Sequence, residues 1–194
     1  MVLERYEIDP GHSGIQFSVR HLMISKVRGR FTRWGGTILM DEEHPEESTA
    51  EVVIDASSID TGLEPRDADL RSANFLDVAD YPNITYRTKR IERVDESHFN
   101  VVGDLTIRGV TREVPLQVEY AGRAADPYGN VRAAFSTSTS INRKDFGLTW
   151  NVALESGGVM VGDRVDIDAD VEAIRRGVVA RQGGQAESKP AAAP

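Results

Sequence analysis

The chain has no cysteine among its 194 residues. That removes disulfides, thiolate nucleophiles and cysteine-built zinc sites, and leaves packing and hydrogen bonds to hold the fold. It also lacks any stretch near the roughly 20 apolar residues that a membrane helix needs, so no integral membrane association is expected. The opening Met1-Val2-Leu3-Glu4-Arg5-Tyr6 carries two charges and no apolar run. A secretory signal is therefore not read there, and a cytoplasmic location is expected. Positive charge is in deficit: the formal net charge is -8 and the basic residues are scattered singly among acids. This argues against nucleic acid and anionic membrane surfaces as partners, because both reward clustered Lys and Arg. Gly103, Gly109 and Gly147 lack phosphate-loop spacing and read instead as backbone geometry. No internal repeat or linker justifies a second domain.

What is present is alternation. Ile15-Gln16-Phe17-Ser18-Val19-Arg20 puts apolar groups on odd positions and polar groups on even ones, the period of a strand with one dry face. The pattern returns at residues 84–88, 99–107, 114–120 and 131–137, and at 165–173 with an acid at nearly every second position. Residues 51–56 are less regular but turn-flanked. Trp34-Gly35-Gly36, close to Gly29-Arg30-Phe31, reads as a bulge or bend in the second strand. Pro115 marks either a locally unpaired amide or a strand start. Short links such as Asp95-Glu96-Ser97, Arg108-Gly109 and Asp126-Pro127-Tyr128-Gly129-Asn130 imply antiparallel neighbours.

Two longer connections interrupt the meander. In the first, Pro65-Arg66-Asp67 opens a short helix between strands 3 and 4, with proline in the first turn and acids complementing the dipole. The second, from Asn142 to Asp163, is long enough to cover a binding site. From 175 to 194 a disordered polar C-terminal tail is expected, giving one domain over 1–174. The fold class is thus all-β, with about eight strands, a number at which an up-and-down antiparallel barrel holds one small ligand or fills itself with side chains. Alternation alone fits a β-sandwich equally; closure is favoured because it removes both edges of a meander.

The candidate binding residues are the inward set: Ile15, Phe17, Val19, Phe31, Ile38, Ile54, Tyr86, Phe99, Leu105, Leu116, Val118, Phe135, Val165 and Ile167. Such a lumen suits hydrocarbon at roughly 0.8 kcal/mol per buried methylene, and a packed, filled core explains the same pattern equally well. His21 shares a face with Phe17 and Val19 and reads as a polar point that meets a ligand headgroup. His12 lies in the preceding turn, so the two histidines do not converge, and no metal site is expected. Ser13 lacks the strand-turn-helix elbow of a hydrolase nucleophile. Arg66 with Asp67, and Arg143 with Asp145, read as loop-anchoring ion pairs. Phe146 and Trp150 either cap a tunnel mouth or pack the long loop down. No catalytic residue and no cofactor is expected; the competing readings are an enzyme acting on a small lipid or amide, and a structural protein with a filled barrel.

Asp9-Pro10-Gly11-His12-Ser13-Gly14-Ile15-Gln16-Phe17, Leu70-Arg71-Ser72, Phe75-Leu76-Asp77, Tyr81-Pro82, Gly103-Asp104-Leu105-Thr106-Ile107-Arg108-Gly109-Val110-Thr111, Arg143-Lys144-Asp145-Phe146-Gly147-Leu148 and Val161-Gly162-Asp163 together resemble the YceI-like family. The resemblance spans about Tyr6 to Ala173, in order. It implies an extended lipocalin-like barrel of eight strands with a helix against it, and an isoprenoid or other long-chain lipid in the tunnel. It further implies a homodimer, since several members form dimers. The chain departs from the family in lacking the secretion signal many members carry, and in its polar tail.

Overall fold

The computed structural model describes residues 2–180. Among these, eleven strands form one antiparallel sheet: β1 (Val2–Ile8), β2 (Gly14–His21), β3 (Ser25–Phe31), β4 (Trp34–Met40), β5 (Thr49–Asp55), β6 (Ile59–Asp60), β7 (Asn83–Arg93), β8 (His98–Ile107), β9 (Val110–Ala125), β10 (Val131–Asn142) and β11 (Val161–Ala180). The helix α1 is Glu64–Arg71. The first six strands are three bent staves. β1 and β2 both lie along β11, β1 on its C-terminal part from Ala173 to Ala180 and β2 on its first half. β3 and β4 repeat the arrangement against β2 and β1, and β6 and β5 against β3 and β4. Three bent and five straight staves give a closed eight-stranded up-and-down barrel, sealed by the β1–β11 pairing from Val2↔Ala180 to Ile8↔Ala173.

Local chemistry sets each bend. Between β1 and β2 the Asp9 carboxylate accepts from the Gly11 amide at 3.0 Å, holding a single 3-10 turn that starts with Pro10. Between β3 and β4 the bend falls at Thr32-Arg33, where the Ser58 hydroxyl accepts from the Arg33 amide at 3.0 Å. The bend expected near Trp34-Gly35-Gly36 is therefore found, two residues earlier. Pro115 lies inside β9; the β9–β10 ladder stops at Gln117↔Ser138, and the Thr139 hydroxyl donates to the Pro115 carbonyl instead at 2.8 Å. The unpaired amide is the reading that holds.

Two glycines are fixed by close approach. Gly109 turns β8 into β9 with φ +71, and a Cβ there would stand 2.6 Å from the Tyr81 ring. A Cβ on Gly103 would stand 2.5 Å from the Arg87 carbonyl and from the Tyr86 ring, which lies flat across the strand at that point.

The helix sits where it was expected, between the third and fourth staves. Its first turn carries Glu64, Pro65 and Asp67, and its last turn carries Arg71. The helix, the β2–β3 hairpin tip and the 143–160 loop share one end of the barrel, here the helix end. The chain terminus Val2 and the turns 41–48, 94–97 and 126–130 lie at the other, the terminal end. One boundary is corrected: the tail expected from 175 begins no earlier than 181, because residues 175–180 continue β11 and pair with β1. The rest of that tail lies outside the described residues.

Candidate functional site

The barrel encloses a cavity of about 880 Å³, near the top of the range for pockets that take a drug-sized ligand. A void of this size counts against a barrel filled by its own side chains. Every residue of the inward set expected from alternation lies on the cavity wall, as do His21 and Trp150. Phe146 does not: it is 1% exposed and packs in the core cluster with Phe75, Leu76 and Leu148. Of the two roles open for Phe146 and Trp150, Phe146 packs the loop down and Trp150 lines the lumen. The Trp150 ring meets Phe75 with centroids 5.3 Å apart, so loop and helical segment join over the helix end.

The wall has a chemical gradient. Its middle is mostly hydrocarbon and aromatic, with Tyr86, Thr88, Thr137 and Thr139 adding hydroxyls; the Tyr86 hydroxyl lies within 3.4 Å of the Val101 and Val114 carbonyls. Burial pushes that phenol well above its ordinary range, so it stays neutral. Polar and charged side chains gather at the ends: His21, Arg66, Asp69 and Arg143 at the helix end, with Arg20 at the outer rim of that mouth, and Asp41, Glu42, Arg93 and Glu96 at the terminal end. The terminal end is tied across by ionic contacts. The Tyr120 hydroxyl donates to Glu42 at 2.7 Å, Arg123 pairs with Glu42 at 3.0 Å and Glu4 at 3.1 Å, and Tyr6 donates to Glu4 at 2.8 Å. Beneath them Tyr6, Ala133 and Ala173 are fully buried.

The arginines expected in loop-anchoring ion pairs anchor by another route. Arg143 is 4% exposed and donates to four carbonyls: Leu148 (2.6 Å), Trp150 (2.9 Å), Gly162 (2.9 Å) and Val161 (3.3 Å). Its carboxylate neighbour is Asp163 at 3.6 Å, whereas Asp145 is exposed. Arg66 likewise donates to the Thr61 hydroxyl and carbonyl, and the buried Asp67 accepts from the Thr61 amide and hydroxyl. Both side chains hold loop backbone, which is the correction to the ion-pair reading.

His12 and His21 do not converge. His21 lines the lumen at the far end of β2, while the His12 Nδ1 lies 2.9 Å from Asp9 at the β1–β2 bend. Asp9, His12 and Glu172 come close enough to suggest a metal cluster, but the Arg132 guanidinium already occupies it, contacting Asp9 at 2.8 Å and also Glu172 and Asp126. Ser13 is consumed by a bridge to Glu172, donating to its carbonyl at 3.1 Å and accepting from its amide at 2.8 Å.

A closed eight-stranded antiparallel barrel with a helix across one end and a greasy lumen defines the lipocalin-like class. Within it the match is specific: the YceI-like domain family covers residues 6–173, and this chain belongs to that family. An UPF0312 protein of Staphylococcus epidermidis is 39% identical over 171 residues, 88% of this chain and 97% of its own. A Staphylococcus aureus UPF0312 protein is 36% identical over the same span and coverage. Among solved structures, the Campylobacter jejuni YCEI protein superposes with a TM-score of 0.68 at 29% identity, covering 81% of this chain and 90% of that one. BcnA of Burkholderia cenocepacia gives 0.74 at 22% identity, covering 85% and 98%. A polyisoprenoid binding domain from Saccharophagus degradans gives 0.66 at 17%, covering 88% and 98%. The last two attest the fold alone.

Proposed function

We propose that this protein binds an amphiphile with a long isoprenoid-like tail inside the barrel, as a carrier or storage protein and not as an enzyme. The observation that carries the reading is the 880 Å³ lumen, mostly apolar in the middle and charged only at its ends. The polyisoprenoid binding of the Saccharophagus domain supports it by analogy. A tail of about fifteen carbons contributes roughly 12 kcal/mol gross when withdrawn from water. Loss of translational and rotational freedom opposes this by at least about 4 kcal/mol, which leaves affinity near the micromolar range. Affinity should therefore climb with tail length until the lumen is full. His21, on the wall at the helix end, is the point at which the polar end of the guest rests.

The test is extraction. Purified protein is denatured, and the organic phase is weighed by mass spectrometry against protein concentration. A stoichiometric long-chain lipid is expected. His21→Ala should retain the tail but bind a headgroup-bearing analogue several-fold more weakly. An empty extract, with no uptake of a fluorescent isoprenoid, would end the proposal.

A further inference from the structure

We propose that the helix end of the barrel docks on an anionic phospholipid surface through the β2–β3 hairpin tip, so that the lumen opens onto the bilayer. Three observations meet at this tip. The first is backbone strain. Leu22 and Met23 have φ of +52 and +63, a left-handed conformation that glycine or asparagine usually fills in so tight a hairpin. The turn is closed by the Ile24 amide donating to the His21 carbonyl at 3.2 Å. Two large apolar residues thus hold disfavoured geometry, and an inference to function starts from such an outlier.

The second is what the strain displays. Ile24 is 82% exposed and Met23 53%. Beside them the 143–160 loop is tied to the hairpin by the Leu22 amide donating to the Met160 carbonyl at 2.8 Å, and Val152 on that loop is 40% exposed. His21 and Met160 at the base of the tip both line the lumen, so the apolar tip is the rim of the mouth.

The third is charge. The chain as a whole is acidic, but the outer face of this hairpin is not. Arg20 pairs across the ladder with Lys26, and Arg28 and Arg30 follow on the same face. Lys26 contacts Asp166 at 3.3 Å and Arg30 contacts Asp60 at 3.0 Å, whereas among the described residues no carboxylate pairs with Arg20 or Arg28. Asp145 and Glu155 are the acids on the facing loop, and Asp166 and Asp168 of β11 border the outer face where Lys26 and Arg28 stand. Exposed apolar side chains backed by unpaired cations match the boundary between acyl chains and anionic headgroups. The proposal departs from the expectation drawn from net charge, which averages over the whole surface, whereas Arg20 and Arg28 stand together near the tip. The inference rests on the lumen taking a lipid, since docking would let the tail pass between bilayer and barrel without crossing water.

The test is co-sedimentation with phosphatidylcholine vesicles, with and without phosphatidylglycerol, run beside extraction of the same protein batches. Wild type should bind the anionic vesicles and be released by high salt. Met23→Ser/Ile24→Ser should bind at least about tenfold more weakly, as expected for two large apolar groups left in water. Its melting temperature and extracted lipid should match wild type. Arg20→Gln/Arg28→Gln should lose the preference for anionic vesicles. Wild type that ignores anionic vesicles, or a serine variant that binds like wild type, overturns the docking whatever the extract contains. A doubling of mass that the serine variant abolishes, with no vesicle binding, overturns it in favour of a second copy of the chain. An empty extract from a protein that still docks through the tip sinks the lipid-cargo reading alone.

Discussion

Leu116→Gln separates an open lumen from a packed core. Leu116 lies on β9, paired with Val101 on β8, half-buried and facing the cavity. Glutamine is of similar bulk, though longer and unbranched at Cγ, so the substitution adds an amide and removes little volume. In a ligand-free hydrated lumen water satisfies that amide, and stability should change by less than about 1 kcal/mol. With a tail in place the water is expelled, and the amide loses partners at about 1–3 kcal/mol. That corresponds to roughly five- to 150-fold weaker binding. The assay has two halves: denaturant unfolding of delipidated protein, and displacement of a fluorescent isoprenoid analogue. A loss of more than about 3 kcal/mol in the delipidated protein would mean that Leu116 sits in a solid interior. Unchanged affinity would mean that the guest does not reach this wall. Either result refutes the reasoning.

Two further predictions concern parts of the molecule the lumen depends on. Arg132 holds the Asp9 carboxyl down to about 2 from 3.8, with help from His12, while Asn130 first and Arg132 second hold Asp126 well below its ordinary range. Because the folded values lie below the unfolded ones, this contribution is present above pH 3.8 and is lost as pH falls through about 2. Arg132→Ala should return Asp9 toward its ordinary value and flatten the acid limb of the stability curve; a carboxyl-carbon NMR titration still centred near 2 would contradict this. Phe146→Ala should cost about 3–5 kcal/mol in stability and leave ligand exchange unchanged, whereas Trp150→Ala should cost less stability and speed ligand release. Unfolding and release kinetics on the two variants check the division, and the opposite pattern would show that the roles are reversed.

What the sequence displays depends on whether one local period survives. Residues 99–107 of β8 pair with β9 without interruption from His98↔Glu119 to Ile107↔Val110, so their alternation is plain. β1 is illegible for the opposite reason. The register shifts between Arg5 and Tyr6, and the buried positions Leu3 and Tyr6 stand three apart. The end of β11 is hidden similarly: Gly177 has φ +143 and the following valines are exposed, so only backbone pairing with β1 identifies residues 175–180 as strand. Closure is legible only through the need to remove the edges of a meander; the pairing that makes it, Val2↔Ala180, joins the two ends of the described chain and leaves no local signal. The wall residues are legible but the void is not, since the same inward set serves a filled or an empty interior. Phe75 and Leu70, which line the helix end, were missed because a short helix and an irregular loop offer no period long enough to assign a face.

The two ends of the barrel differ in the energy available for opening. At the terminal end a guest would have to break the Glu42–Arg123 and Glu4–Arg123 contacts together with the Tyr6 and Tyr120 hydrogen bonds, and displace a fully buried cluster beneath them. These groups share partners, so losing one leaves others unpaired and the resistance is cooperative. At the helix end the loop is held by Arg143, which gathers its carbonyls, by Asn151 on the Val161 backbone and by the Leu22–Met160 bond, while Trp150 itself closes over the lumen through the Phe75 contact. Rotation of Trp150 breaks an apolar contact and strands no polar group. Passage of an apolar tail is therefore easier past Trp150 than past Tyr6, and it leads to the side of the barrel where Met23 and Ile24 already stand in solvent.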